Sequence, residues 1–137
     1  MDGNGKQVPS PDPAAGLYIQ ARSGEQVQVR LPANACGFQI GETSQIQSGG
    51  LLQATPHAVM PAKAAGVTRE TFAVFLEPEF DAPLAIPAGK TVSDCQADTA
   101  KLPPTVLPVN ARWRVGQTFG DFHNATVQAF TTETAVQ

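Results

Sequence analysis

The sequence is poor in the residue types that carry most recognisable chemistry. Its 137 residues include two Cys, two His, one Trp and one Tyr. With Cys36 and Cys95 alone, neither a disulfide framework nor a Cys-based zinc site can be assembled, and two reduced thiols are expected. Charge is scarce as well: 15% of residues are charged, and 9 Lys plus Arg against 12 Asp plus Glu leave a formal net charge of -3. The basic residues are scattered without a run, which excludes a general electrostatic nucleic-acid binder. No stretch approaches the ~18 consecutive apolar residues of a membrane helix. The first ten residues are polar with Lys6 as the single basic group, so no secretory signal is read there and a cytoplasmic location is expected. Walker, G-x-S-x-G, H-E-x-x-H and dinucleotide fingerprints are all missing.

What is present is punctuation. Gly and Pro number 12 each and recur at short intervals, a pattern that favours strands and turns over long helices. Residues 1–15 read as an irregular lead-in, because Pro9, Pro11 and Pro13 block ladder hydrogen bonding. From Gly16, Leu17, Ile19 and Ala21 alternate with Tyr18, Gln20 and Arg22. After Ser23-Gly24, Val27, Val29 and Leu31 alternate with Gln26, Gln28 and Arg30, which predicts a β-hairpin. Further strands are expected over 36–40, 51–60 and 68–76, with a polar stretch at 41–48 and a Gly49-Gly50 turn between the first two. The apolar run at 68–76 reads as a central strand with both faces buried. Residues 78–117, spaced by Pro83, Pro87, Pro103, Pro104 and Pro108, read as an extended wrap over a surface. Thr118 with Asp121 resembles a capping box, and Phe119, Phe122, Thr126, Ala129 and Phe130 share a helical stripe over 118–131.

Candidate chemistry is sparse. His57 follows Pro56 in an apolar strand, a rigid setting suited to a metal ligand, although a lone His is more often a hydrogen-bonded structural residue. His123 is expected on the solvent face of the terminal helix. Arg69 and Thr71 lie two apart in a predicted strand and so emerge on one face. A guanidinium beside a hydroxyl suits a carboxylate clamp, and the competing reading is an edge Arg paired with Glu70 or Glu77. Glu77, Glu79 and Asp81 read as a solvated loop, and Asn124-Ala125-Thr126 matches a glycosylation acceptor without a secretory route.

The order of motifs is more specific than any one of them. Phe38-Gln39-Ile40-Gly41-Glu42 is followed by Ser48-Gly49-Gly50-Leu51-Leu52-Gln53-Ala54-Thr55-Pro56-His57 and then Arg69-Glu70-Thr71-Phe72-Ala73-Val74-Phe75. This series resembles the distal part of non-haem iron(II), 2-oxoglutarate-dependent dioxygenases of the isopenicillin N synthase-like superfamily. The lead-in (Asn4-Gly5 and Pro11 to Tyr18) and the tail (Arg112-Trp113 and Thr118 to Phe122) look like a plant and algal branch of that group.

The resemblance implies an all-β fold, a partial double-stranded β-helix (jelly roll) with a C-terminal helix, in which residues 16–77 form the partial barrel. It implies His57 as a first-shell iron ligand, with Arg69 and Thr71 holding the distal carboxylate of 2-oxoglutarate from the opposite sheet. The activity implied is oxidation of a small organic substrate coupled to decarboxylation of the oxoacid. That family holds iron with two histidines and one carboxylate, the other two coming from a His-x-Asp/Glu motif. No His precedes His57 in this sequence. Turnover by the family's mechanism is therefore not expected of this chain, which reads as a fragment beginning at an internal Met. The alternative is a non-catalytic β-module that binds a carboxylate ligand or a protein partner. Self-association through an open sheet edge is expected of the fragment, whereas a cooperatively folded monomer would favour the β-module.

Overall fold

The computed structural model describes residues 1–32, 34–96 and 101–134. They divide into two compact units, one made of Met1–Gly37 and His57–Leu76, the other of Phe38–Pro56 and the described residues from Glu77 onward.

In the first unit the expected hairpin forms. Strand β1 (Gly16–Gln20) pairs antiparallel with β2 (Gln26–Val29), Leu17 opposite Val29 and Ile19 opposite Val27. Gly24 closes the turn with φ +88 and donates its N–H to the Ala21 carbonyl at 2.8 Å, a backbone that L side chains rarely adopt. Strand β3 (His57–Met60) joins the other side of β1, giving the order β2-β1-β3, with Val59 opposite Leu17 and His57 opposite Ile19. Directly opposed residues share a face. Leu17, Ile19, Val27, Val29, Val59 and His57 therefore make one face, and Tyr18, Gln20, Gln26 and Gln28 the other. The polar face holds the lead-in. Tyr18 donates its hydroxyl to the Ala14 carbonyl, the Gln28 amide donates to the carbonyls of Pro13 and Ala15, and Arg30 donates to that of Pro13. Proline cannot pair in a ladder, so side chains satisfy these carbonyls instead.

Two other expected strands are missing or shortened. Residues 36–40 take no regular structure, and of 51–60 only the last four residues enter the sheet. The largest departure is at 68–76, expected as a central strand buried on both faces. It forms no strand, and Phe72, Val74, Phe75 and Leu76 are 93%, 69%, 82% and 88% exposed. Alternating β-branched and aromatic residues favour a pleated, half-buried surface. They cannot supply the neighbouring strand that makes one.

Among the described residues, every fully buried side chain lies in the second unit. Its core is Ile46, Leu84, Cys95, Val109, Trp113 and Phe122, with Ile86 against it. Most of these come from the stretch expected to wrap a surface, which instead supplies the interior (residues 97–100 of that stretch, like Ala33 in the first unit, lie outside the described residues). Proline spacing reports an extended backbone and says nothing about which side chains turn inward.

The polar stretch at 41–48 contains helix α1 (Glu42–Gln47). Its stop is a Schellman motif: Gly49 N–H donates to the Ile46 carbonyl and Gly50 N–H to that of Gln45, with φ +61 and +79. Gly50 is doubly constrained, since a Cβ there would stand 1.7 Å from the Asp94 carbonyl oxygen. The buried Gln45 donates to the Cys95 carbonyl at 2.8 Å and accepts the Ala54 N–H at 2.9 Å, so its burial is compensated.

Short helix α2 (Val109–Arg112) precedes α3 (Phe119–Thr134), the expected C-terminal helix. The capping box forms: Asp121 N–H donates to the Thr118 hydroxyl oxygen, and the Asp121 carboxylate accepts the Thr118 N–H and O–H. Two more first-turn donors, the N–H groups of Phe119 and Gly120, reach the carbonyls of Ala82 and Phe80 at 2.8 Å each. Gly120 is required by that approach, because a Cβ would meet the Phe80 ring at 2.5 Å.

Arg112 ties the helices together. Its side chain is 2% exposed and meets Glu42 at 2.6 Å, the Leu107 carbonyl at 2.8 Å and the Thr126 hydroxyl at 2.9 Å, with the rings of Phe122 and Phe130 within 5.5 Å. Removing one partner of a buried pair strands the other charge. Glu42→Ala is expected to cost about 3 kcal/mol, read from denaturant midpoints at unchanged slope. A loss within error of zero would show that the carbonyl and hydroxyl acceptors suffice.

The capping box also has a pH signature. Hydrogen bonds from the Thr118 backbone and hydroxyl hold the Asp121 carboxyl below its ordinary value. A depressed folded-state value stabilises the fold above the unfolded-state pKa of about 4 and loses that stabilisation as pH falls through the folded value. Asp121→Asn is expected to flatten the acid limb of a stability-pH curve below about pH 4. An unchanged limb would remove Asp121 from the set of groups that drive it.

Candidate functional site

His57, Arg69 and Thr71 lie in the first unit. His57 opens β3, at the corner of the apolar sheet face beside Ile19 and Val27, and is exposed. Placing it there is the work of Pro56, which cannot donate to the ladder and so starts the strand one residue later. After β3 the chain passes through 61–67 to Val67, which bridges to Asp2, and Thr68 exchanges hydrogen bonds with Met1 at 2.7 and 2.9 Å. Asp12 steadies this connection by accepting the N–H groups of Lys63 and Ala14. Those two bonds, Lys63 first, lower its carboxyl from the ordinary value.

Beyond Thr68 the backbone takes no regular secondary structure, and side chains two apart meet. Arg69 Nη1 donates to the Thr71 hydroxyl at 2.6 Å, while on the opposite side Thr68 donates its hydroxyl to Glu70 at 3.0 Å. The expected association of Arg69 with Thr71 therefore exists, and the competing pairing with Glu70 or Glu77 does not form. Arg69 and Thr71 are both exposed and stand outside any strand. They do not project inward from a second sheet opposite His57, because the strand that would carry them has no neighbour in the unit. A guanidinium whose planar donors are partly committed to a hydroxyl still offers free N–H groups for a carboxylate, with the hydroxyl proton as an additional donor.

The donor chemistry for iron is less complete. Among the described residues, no group of three or more His, Cys, Asp and Glu side chains stands together as a metal site. One exposed imidazole does not fit a two-histidine, one-carboxylate centre.

The remaining candidates resolve into structural roles. His123 is not on a solvent face: it is half-buried with the rings of Phe80 and Phe119 at 5.7 and 5.6 Å. The helical stripe carrying Phe119 and Phe122 is wide enough to take it in. Thr126 of the Asn-Ala-Thr triplet is the hydroxyl acceptor for Arg112. Glu77, Glu79 and Asp81 are exposed, as expected of a solvated loop. Cys95 is buried and burial pushes its thiol up, which makes it inert, whereas Cys36 is exposed. No helix among the described residues is long and apolar enough to cross a membrane. Sequence reasoning passed over Gln45 and Arg112, the two buried polar residues of the second unit. The Gly-Gly after Gln47 was the available signal for the first, and nothing local marks the second.

No family model matches the chain, and neither the curated proteins nor the solved structures contain a match.

Proposed function

We propose that this chain is the oxoacid-holding part of an iron(II), 2-oxoglutarate-dependent dioxygenase of the isopenicillin N synthase-like kind, built on a partial double-stranded β-helix. Arg69 and Thr71 would hold the distal carboxylate of 2-oxoglutarate, and His57 would serve as one iron ligand. The observation that carries the reading is the Arg69–Thr71 contact at 2.6 Å, which assembles the two donors of the clamp without a ligand. The ordered motif series around it supports the family. The single imidazole leaves the iron site without its other ligands, so no turnover is assigned to this chain alone.

A second reading, a non-catalytic β-module that binds a carboxylate, is favoured by the lack of a three-ligand cluster among the described residues. Both readings need Arg69. They part over the metal.

Titration of the metal-free protein with 2-oxoglutarate, followed through the backbone amide NMR signals of residues 67–75, is expected to show weak saturable binding. Arg69→Ala should weaken it about tenfold, the lower end for a charge-assisted bond because the site is exposed and screened. The analogue 2-oxobutyrate, which lacks the distal carboxylate, should bind no better to the parent than 2-oxoglutarate binds to that variant. Equal binding by parent and Arg69→Ala overturns both readings. Anaerobic iron(II) added with 2-oxoglutarate decides between them: a charge-transfer band lost in His57→Ala supports the dioxygenase part, and no band supports the binding module.

A further inference from the structure

The segment 69–77 reads Arg69-Glu70-Thr71-Phe72-Ala73-Val74-Phe75-Leu76-Glu77. It contains no Gly or Pro, takes no regular secondary structure and is exposed throughout. Among the described residues, its backbone N–H and C=O groups make no hydrogen bond. Four large apolar side chains, Phe72, Val74, Phe75 and Leu76, are at least 69% exposed. An unpaired backbone with strong β-propensity and this much apolar surface is a template for another strand.

We propose that residues 69–77 form an intermolecular strand, pairing antiparallel with the same segment of a second copy in the register centred on Ala73. Charge complementarity selects both the occupant and the register. With Ala73 facing its own copy across the two-fold axis, Phe72 lies opposite Val74 and Thr71 opposite Phe75. Arg69 lies opposite Glu77 of the other copy, and the symmetry repeats that pair at the far end. Moving the axis to between Ala73 and Val74 would set Glu70 against Glu77, two like charges at each end. Moving it a full residue, to Phe72 or to Val74, leaves Arg69 opposite Phe75 or Glu79, the latter beyond Pro78. Pro78 has no N–H and ends the ladder just past Glu77. The smallest side chain of the segment then sits at the axis, the one position where a residue faces its own copy. Nine residues at about 3.4 Å each give a ribbon roughly 30 Å long. In this arrangement the carboxylate of Glu77 from the second copy takes the place beside Arg69 and Thr71. The inference stands on the unpaired segment and does not depend on the oxoacid reading.

Sedimentation velocity of the full chain across a wide concentration range is expected to show a monomer–dimer equilibrium. Arg69→Glu and Glu77→Arg should each weaken the dimer about tenfold. The double variant, which swaps the two charges, should recover most of that loss. A Cys36→Ser, Cys95→Ser background carrying Ala73→Cys should cross-link to a dimer on mild oxidation faster than one carrying Ser10→Cys, because facing strands bring like positions within disulfide reach only at the axis. Cys95 is buried in the second unit, so Cys36→Ser alone, with Cys95 retained, serves if the double background does not fold. Thr71→Ala, which alters the proposed oxoacid clamp but not the charge pair, should leave the dimer in place, separating this inference from that one. A monomer at every concentration overturns the proposal, whether because the segment pairs within its own chain or with nothing. Failure of the charge swap to restore dimer, open-ended growth without a dimer, or equal cross-linking at positions 73 and 10 also overturns it.

Discussion

The second unit depends on one buried cation. Arg112 closes helix α2, yet its guanidinium faces Glu42 of α1, Thr126 of α3 and the carbonyl of Leu107. A cation at this depth is costly unless its donors are met and a countercharge lies close. Two of these acceptors, Glu42 and Thr126, are distant from Arg112 in the chain, so meeting the Nη1 and Nη2 donors fixes both, while the buried Nε has no partner. The rings of Phe122 and Phe130 lie against it, adding the attraction of a cation for an aromatic face. Gln45 performs the same task with a neutral group, joining α1 to the backbone at Ala54 and Cys95. The interior is thus specified by polar residues with fixed directional demands as well as by hydrophobic volume.

What could be read from the sequence was what is decided locally. The hairpin at Gly16–Gln20 and Gln26–Val29 needed an alternation and a glycine in the turn, both visible within about a dozen residues. The Thr118–Asp121 box needed two residues three apart. Helix α1 escaped because Ile46 is its one fully buried apolar side chain and periodicity had nothing to act on. Its stop at Gly49-Gly50 was visible but equally compatible with a hairpin. Residues 68–76 went the other way. Their pattern states which environment they favour, and whether a neighbouring strand exists is a property of the whole fold. Trp113 sits in a proline-spaced stretch whose burial no local rule announces.

The candidate site divides along the same line. Arg69 and Thr71 are two apart and meet within one short stretch of chain, a proximity that needs no sheet. The surroundings of His57 depend on β3 lying beside β1, a pairing across some forty residues, and on what stands over the apolar face of that sheet. A short-range rule can pair two side chains, but a metal centre requires several distant segments to agree.

The two units are interleaved along the chain, with crossings after Gly37, Pro56 and Leu76. Neither can be cut out as one continuous piece, and neither can be donated to another protein by a single insertion. During synthesis the three-stranded sheet must wait for β3, by which time α1 has already left the ribosome without the helix that supplies Thr126. Until the last third of the chain emerges, Glu42 lacks Arg112 and the Gln45 amide lacks the Cys95 carbonyl, and both stay hydrated. Such a layout favours late, concerted folding over piecewise assembly, and it makes the order in which the segments appear a part of the design.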